Sequence, residues 1–299
     1  MSKYAIVTPC TLGYLPGLNA NLNALDCYEN DIDVFVIDGG DLPKDYVEQI
    51  KTAFRFKVEV VPMADLTKRL AYPVESLTHA LFTTPYRLML DLEGKYDVVS
   101  LIGADMVIVN NIMKWYEIAD KMGYIVTAHN SFALSEARDL KEQWVNMSTG
   151  QASEMTVADA PGIVNIQIHR DLIEETLKIT NQYGDNMKSF NGAIWKIGKT
   201  NQVLELPGDL WTCGIYYSFG VHSSTDSKGR PTYWTNRERI SAIHRRWWRK
   251  AVREYAYKGQ NPESQFYKFA WGNTQIWESI YRKFNTMGKV KIDYLKYYD

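Results

Sequence analysis

Short β-branched runs recur between stretches of helical character along the first half of the chain, and this alternation constrains the fold more than any other feature. Tyr4–Thr8, Asp33–Ile37, Lys57–Val61, Asp97–Leu101 and Ile125–Ala128 read as strands. Leu15–Leu25, Lys44–Ala53, Val74–Leu90 and Ile112–Met122 read as the helices between them. The order predicts an α/β fold with a mainly parallel sheet and helices on both faces. Ligands of such sheets bind beyond the carboxyl ends of the strands. Thr8-Pro9-Cys10, Asp38-Gly39-Gly40 and Gly103-Ala104-Asp105 are therefore expected to line one crevice.

Further along, Asn130 to Ala160 loosens into polar, Met-containing chain, an insertion suited to shaping an acceptor pocket. Regular structure is expected again at Gly162–His169, in a helix at Asp171–Gln182, and in strands near Ala193–Ile197, Val203–Leu206 and Thr212–Phe219. From Thr235 onward the pattern predicts two helices, Arg237–Tyr257 and Glu263–Phe284.

The totals exclude several classes. With 34 Lys and Arg against 35 Asp and Glu in 299 residues, no global field favours nucleic acid or membrane, and any such preference must come from a local patch. Cys10, Cys27 and Cys213 are odd in number, widely spaced and without a CxxC pair, which argues against a disulfide framework and a zinc site. The apolar part of the N-terminus is too short for a signal peptide or a membrane span, so a cytoplasmic setting is expected.

Asp105 is the lone charge in the apolar run from Val98 to Val109. An unpaired buried carboxylate costs several kcal/mol, roughly, so this residue belongs at a strand mouth, facing a cation, a ligand or a helix N-terminus. Capping a helix near Asn111 is the competing structural role. The chain has no GxGxxG after its first strand, no GxxxxGK[ST], no GxSxG and no HExxH, which removes dinucleotide, P-loop, serine-hydrolase and zincin chemistry.

Four segments in order resemble the retaining glycosyltransferases of family 8. These are Val34–Gly40, then Pro85-Tyr86-Arg87-Leu88-Met89-Leu90 leading into Tyr96–Val99, then Ser189-Phe190-Asn191-Gly192-Ala193, then His222 with Lys228 six residues later. The resemblance spans residues 4–232 and implies a GT-A fold, a nucleoside-diphosphate sugar donor, UDP above all, and transfer with retention to a hydroxyl. It implies a catalytic domain over 1–235 and a helical extension over 236–299 packed on it. It further implies Asp105 and His222 as ligands of a divalent cation, Mn2+ or Mg2+, with Lys228 on the distal phosphate and Arg87 near the donor. Thr8, Pro9, Asp38, Gly103 and Ala104 would lie along the donor, and Asn191 would reach the sugar. Asp209, before an expected strand, is a further candidate for that contact. The pattern is broken at Gly103, where the family has the first Asp of an Asp-x-Asp motif, leaving fewer oxygen ligands for a hard cation. A nucleotide-sugar-binding protein without catalysis is the rival from another class.

One cationic patch stands out. Arg237, Arg239, Arg245, Arg246, Arg249, Lys250 and Arg253 accompany Trp247 and Trp248, and as a helix would oppose a face of Ile240, Ile243, Trp247 and Ala251. Such a face could be solvated, lie on an anionic membrane, or bind the phosphates of DNA. Arg245, Arg246, Trp248, Arg249 and Lys250 are the candidate acceptor contacts. The acceptor expected from them is a hydroxymethylated base in DNA, as in bacteriophage DNA modification, with cell-surface glycan or lipopolysaccharide synthesis as the alternative.

Overall fold

The structure is a computed structural model that describes residues 3–129, 158–184, 186–206, 222–234, 239–244 and 279–297. Its centre is a seven-stranded sheet. In chain order its strands are β1 (Tyr4–Cys10), β2 (Asp33–Asp38), β3 (Val58–Pro62), β4 (Val98–Leu101), β6 (Ile125–His129), β7 (Ala158–Asn165) and β8 (Val203–Leu206), and in space they run β3-β2-β1-β4-β7-β6-β8. Only β7 runs antiparallel to its neighbours β4 and β6. The chain passes from β1 to β2 and β3 on one side, then returns to place β4 on the other side of β1. That reversal opens a crevice at the carboxyl ends of β1 and β4.

The strand alternation sorts side chains onto two faces. Ile6, Cys10, Val34, Val36, Val98, Val126 and Ile163 pack with α1 (Leu15–Cys27), α2 (Lys44–Ala53) and α5 (Met113–Met122). Ala5, Val7, Phe35, Ile37, Val99, Leu101 and Val164 pack with α3 (Met63–Thr67), α4 (Leu77–Asp91), α6 (Arg170–Tyr183) and α7 (Asn186–Lys196). Helices cover both faces, as the alternating sequence predicts.

Helix α1 has a second layer outside it. The short strand β5 (Met106–Ile108), the hairpin β9 (His222–Thr225) and β10 (Pro231–Trp234), the strand β11 (Ala242–His244) and the helical residues 279–287 bring Val107, Tyr233, Ile243, Tyr281 and Phe284 onto Ala20, Ala24 and Tyr28. Enclosed on all sides, α1 buries three asparagines. Asn21 accepts from the Ile108 amide at 3.0 Å, Asn23 donates to the Val290 carbonyl at 2.8 Å, and Asn19 donates to Asn285 Oδ1 at 2.9 Å. Buried polar groups persist where such partners exist.

Two expectations are corrected. Ala193–Ile197, predicted as a strand, belongs largely to α7, where Phe190, Ala193 and Ile194 meet the sheet at helical spacing. The predicted helix Arg237–Tyr257 contains β11, whose backbone pairs antiparallel with β5 and covers an edge that would otherwise lack partners. Asn130–Met155, the expected strand Thr212–Phe219 and most of the second C-terminal helix lie outside the described residues.

Candidate active site

The parallel register brings three loops together. Cys10 lies opposite Asp38 across β1 and β2, and Val7 lies opposite Leu101 across β1 and β4, so Thr8 and Pro9 approach Gly103 and Ala104. The Ile102 amide extends this pairing by donating to the Val7 carbonyl at 3.0 Å.

The first two loops are tied to each other. The Gly39 amide donates to the Cys10 carbonyl at 2.9 Å, and Asp41 accepts from the Leu12 amide at 2.8 Å. Asp38 Oδ1 accepts from the amides of Gly40 and Leu42 at 2.8 and 3.3 Å, so this carboxylate also shapes its own turn. Burial, and then the carboxylates of Asp41 and Asp38, push the Cys10 thiol well above its ordinary pKa. Its sulfur donates to the Thr11 carbonyl, and as a neutral thiol it is no nucleophile. Thr8 differs from these groups: its Oγ1 is buried without a hydrogen-bond partner among the described residues.

The third loop is a tight turn in which the Met106 amide donates to the Gly103 carbonyl at 3.0 Å, with Ala104 and Asp105 at its tip. Its back rests on α1: a β-carbon on Gly17 would stand 1.9 Å from the Ala104 carbonyl oxygen. Its front holds the carboxylate. Asp105 Oδ1 lies 2.5 Å from where a β-carbon on Gly103 would be, so the surviving carboxylate occupies space above residue 103. Asp105 thus leads into β5 and does not cap the helix near Asn111, since α5 begins at Met113, whose amide is served by the Asn111 side chain at 3.1 Å.

Asn191 is buried on α7, inside the helix. The preceding Phe190 shares a small apolar cavity with Tyr86, Leu101 and Gly162, which sets α7 beside the end of β4.

Other candidates lie elsewhere. Arg87 pairs with Asp91 at 2.5 Å, the i+4 ion pair that its helix allows, and Asp91 also meets Arg69 at 2.7 Å. Lys228 pairs with Glu29 at 2.6 Å, and Arg230 with the same carboxylate at 3.0 Å. Glu29 lies just past the C-terminal end of α1, whereas the Asp105 turn rests near its start. Roughly 15 Å of helix separate Gly17 from Cys27, so Lys228 as placed is at the wrong end to share a phosphate with Asp105. His222 lies exposed on β9, opposite Trp234, and takes no part in the β5 pairing. Asp209, Arg245, Arg246, Trp248, Arg249 and Lys250 lie outside the described residues.

A different histidine comes close along the backbone. In the β5 and β11 pair His244 stands opposite Met106, the residue after Asp105. Its separation from Lys250 equals that of His222 from Lys228, which is the sequence signal that could have singled it out. Among the described residues no three His, Cys, Asp or Glu side chains are placed to hold a metal ion. Asp105 by itself offers a hard cation one carboxylate, and the rest of its shell would have to come from phosphate oxygens, water and a residue of a neighbouring strand.

Compared with models of protein families and with curated proteins, the sequence finds no match. Its structure does. The galactosyltransferase LgtC in complex with donor and acceptor sugar analogues aligns at 14% identity and TM-score 0.55, covering 92% of this chain and 99% of that one. An active-site mutant of LgtC aligns at 13% identity and TM-score 0.55, covering 90% and 95%. The bifunctional glycosyltransferase WbbM aligns at 13% identity and TM-score 0.56, covering 94% of this chain and 52% of that one. By these likenesses this chain has the GT-A fold.

Proposed function

We propose that this protein is a glycosyltransferase that moves a sugar from a nucleoside-diphosphate sugar, UDP-linked in the first instance, to a hydroxyl acceptor with retention of configuration. The observation that carries this reading is the Asp105 turn, set beside the loops after β1 and β2 at the switch point of a GT-A sheet.

Each part has a task. The nucleoside lies along Thr8, Pro9 and Asp38, where a ligand atom would give the buried Thr8 hydroxyl the partner it lacks. Asp105 and His244 would hold a divalent cation, which when bound would supply electrostatic relief to the diphosphate. Asn191 orients the sugar, with Asp209 the further candidate for that contact. The backbone register supports His244 over His222 as the second ligand. Arg87 reaches a donor only by leaving Asp91.

Incubation with a panel of nucleotide sugars and Mn2+ tests the reading: slow release of a nucleoside diphosphate is expected, and Asp105→Asn should abolish it. Binding without release under any condition would leave a nucleotide-sugar-binding protein instead.

The acceptor is a second question. A saccharide hydroxyl is the reading closest to the LgtC complex, which holds an acceptor sugar analogue. Hydroxymethylated DNA is supported by the run Arg245, Arg246, Trp248, Arg249 and Lys250. Duplex binding that weakens steeply with salt favours DNA, and no binding at low ionic strength favours the saccharide.

A further inference from the structure

We propose that Gly162 is a positioning residue: its missing side chain lets the Phe190 ring sit down on β7, and that seat sets where α7 holds Asn191 against the donor sugar. This rests on the reading of Asn191 given above.

The fold fills the gap at Gly162 with an aromatic ring. Gly162 precedes Ile163, which stands opposite Ser100 on β4, so it lies beside Leu101 at the end of that strand. A β-carbon on Gly162 would meet Phe190 Cζ at 2.4 Å, Cε1 at 2.8 Å and Cε2 at 3.2 Å. Ordinary contact starts at 3.4 Å, so the ring tip would have to retreat by about 1 Å. The main chain makes no demand of its own, because residue 162 is not among the glycines with positive φ. Space for the ring is what glycine supplies.

The ring is buried beside Tyr86, Met89, Val164 and Ile173, with only a small cavity between them, so a push on it is passed to its own helix. The far half of α7 is held: Ala193 and Ile194 are buried, and Lys196 pairs with Glu175. Pushed at Phe190 and held there, the helix tilts at its other end. Asn191, the next residue, shares the backbone hydrogen bonds of the same helix and moves with it. The loops that would carry the nucleoside follow β1 and β2, and neither strand neighbours β7. Gly162 therefore bears on the sugar and not on the nucleotide.

The test uses the full chain, Gly162→Ala, Phe190→Leu, the double variant and Asn191→Ala. UDP-glucose, UDP-galactose, UDP-N-acetylglucosamine and GDP-mannose are each incubated with Mn2+, and the fastest donor is kept. Gly162→Ala should lower nucleoside diphosphate release at saturating donor about tenfold to a hundredfold, the cost of misplacing a group by about 1 Å. Its calorimetric affinity for the matching nucleoside diphosphate should equal that of wild type. Leucine lacks the ring atoms that would meet the new methyl group. In the Phe190→Leu background, Gly162→Ala should thus change release by less than about twofold. That comparison also decides the matter if Gly162→Ala alone does not fold. Wild-type release by Gly162→Ala, an equal loss in both backgrounds, or nucleoside diphosphate affinity lost in step with release would overturn the proposal. Wild-type release by Asn191→Ala, or no release from any donor by wild type, would instead overturn the reading beneath it.

Discussion

The carbonyl oxygen of Ala104 lies 1.9 Å from the point where Gly17 would carry a β-carbon, so the turn that bears Asp105 and the first turn of α1 meet backbone to backbone. Tyr281 Oη closes the same space from the C-terminal residues, 2.8 Å from that point. A turn held by main-chain contact keeps its place better than one held by side-chain rotamers. The position of Asp105 is therefore set by three segments distant in sequence.

Gly17→Ala should displace that turn. The atom it meets is backbone and cannot rotate away, so destabilisation of about 1–3 kcal/mol is expected, read as a lowered midpoint in urea. It should also weaken nucleotide binding in EDTA.

His244→Ala should weaken Mn2+-dependent nucleotide binding by at least about tenfold, as loss of a ligand costs no less than loss of the group that orients one. His222→Ala, on the exposed start of β9, should leave it unchanged. Calorimetric titration in Mn2+ separates the two, and the opposite ranking would restore His222 as the ligand.

Asn285→Leu should unfold more easily than wild type by about 1–3 kcal/mol. Asn285 donates to the carbonyls of Pro16 at 3.1 Å and Tyr281 at 2.9 Å and accepts from Asn19, all in buried surroundings. Leucine fills the volume and removes these three buried hydrogen bonds. Thermal melts of the two proteins measure the loss, and an unchanged midpoint would show that the C-terminal residues do not brace α1.

His169 should make stability depend on pH. The ring is buried, with Nε2 2.8 Å from the Gly123 carbonyl and Lys199 Nζ 3.2 Å from Nδ1. Burial first, and then the Lys199 cation, hold its pKa below the ordinary 6.5. Below about pH 6.5 the unfolded chain takes up a proton that the folded chain refuses, so stability present above that pH is lost as the pH falls through the folded value. Denaturation in urea from pH 7.5 to 5 should show this slope, and His169→Gln should flatten it.

Much of the architecture is legible along the chain because it is local. The limits of α2 and β8 coincide with their sequence patterns, and β1, β2, β3, β4 and β6 fall within a few residues of theirs. Periodicity reports burial where an element meets one neighbour. It fails where a segment meets a partner far away, as in the strand Ala242–His244, whose state is decided by pairing with the edge of β5.

The same division runs through the site. From residue types and order alone the sequence determined the parallel α/β plan, the three strand ends that form the crevice, and Asp105 as the charge to explain. Only the tertiary structure decided which residues share that crevice. It drew Arg87 into a pair with Asp91 and Lys228 into one with Glu29, it brought the backbone of His244 opposite Met106, and it set Asp105 over Gly103. The physical reason is that side-chain partners depend on distances between distant parts of the chain, which helix length and strand register fix and which spacing along the chain does not record.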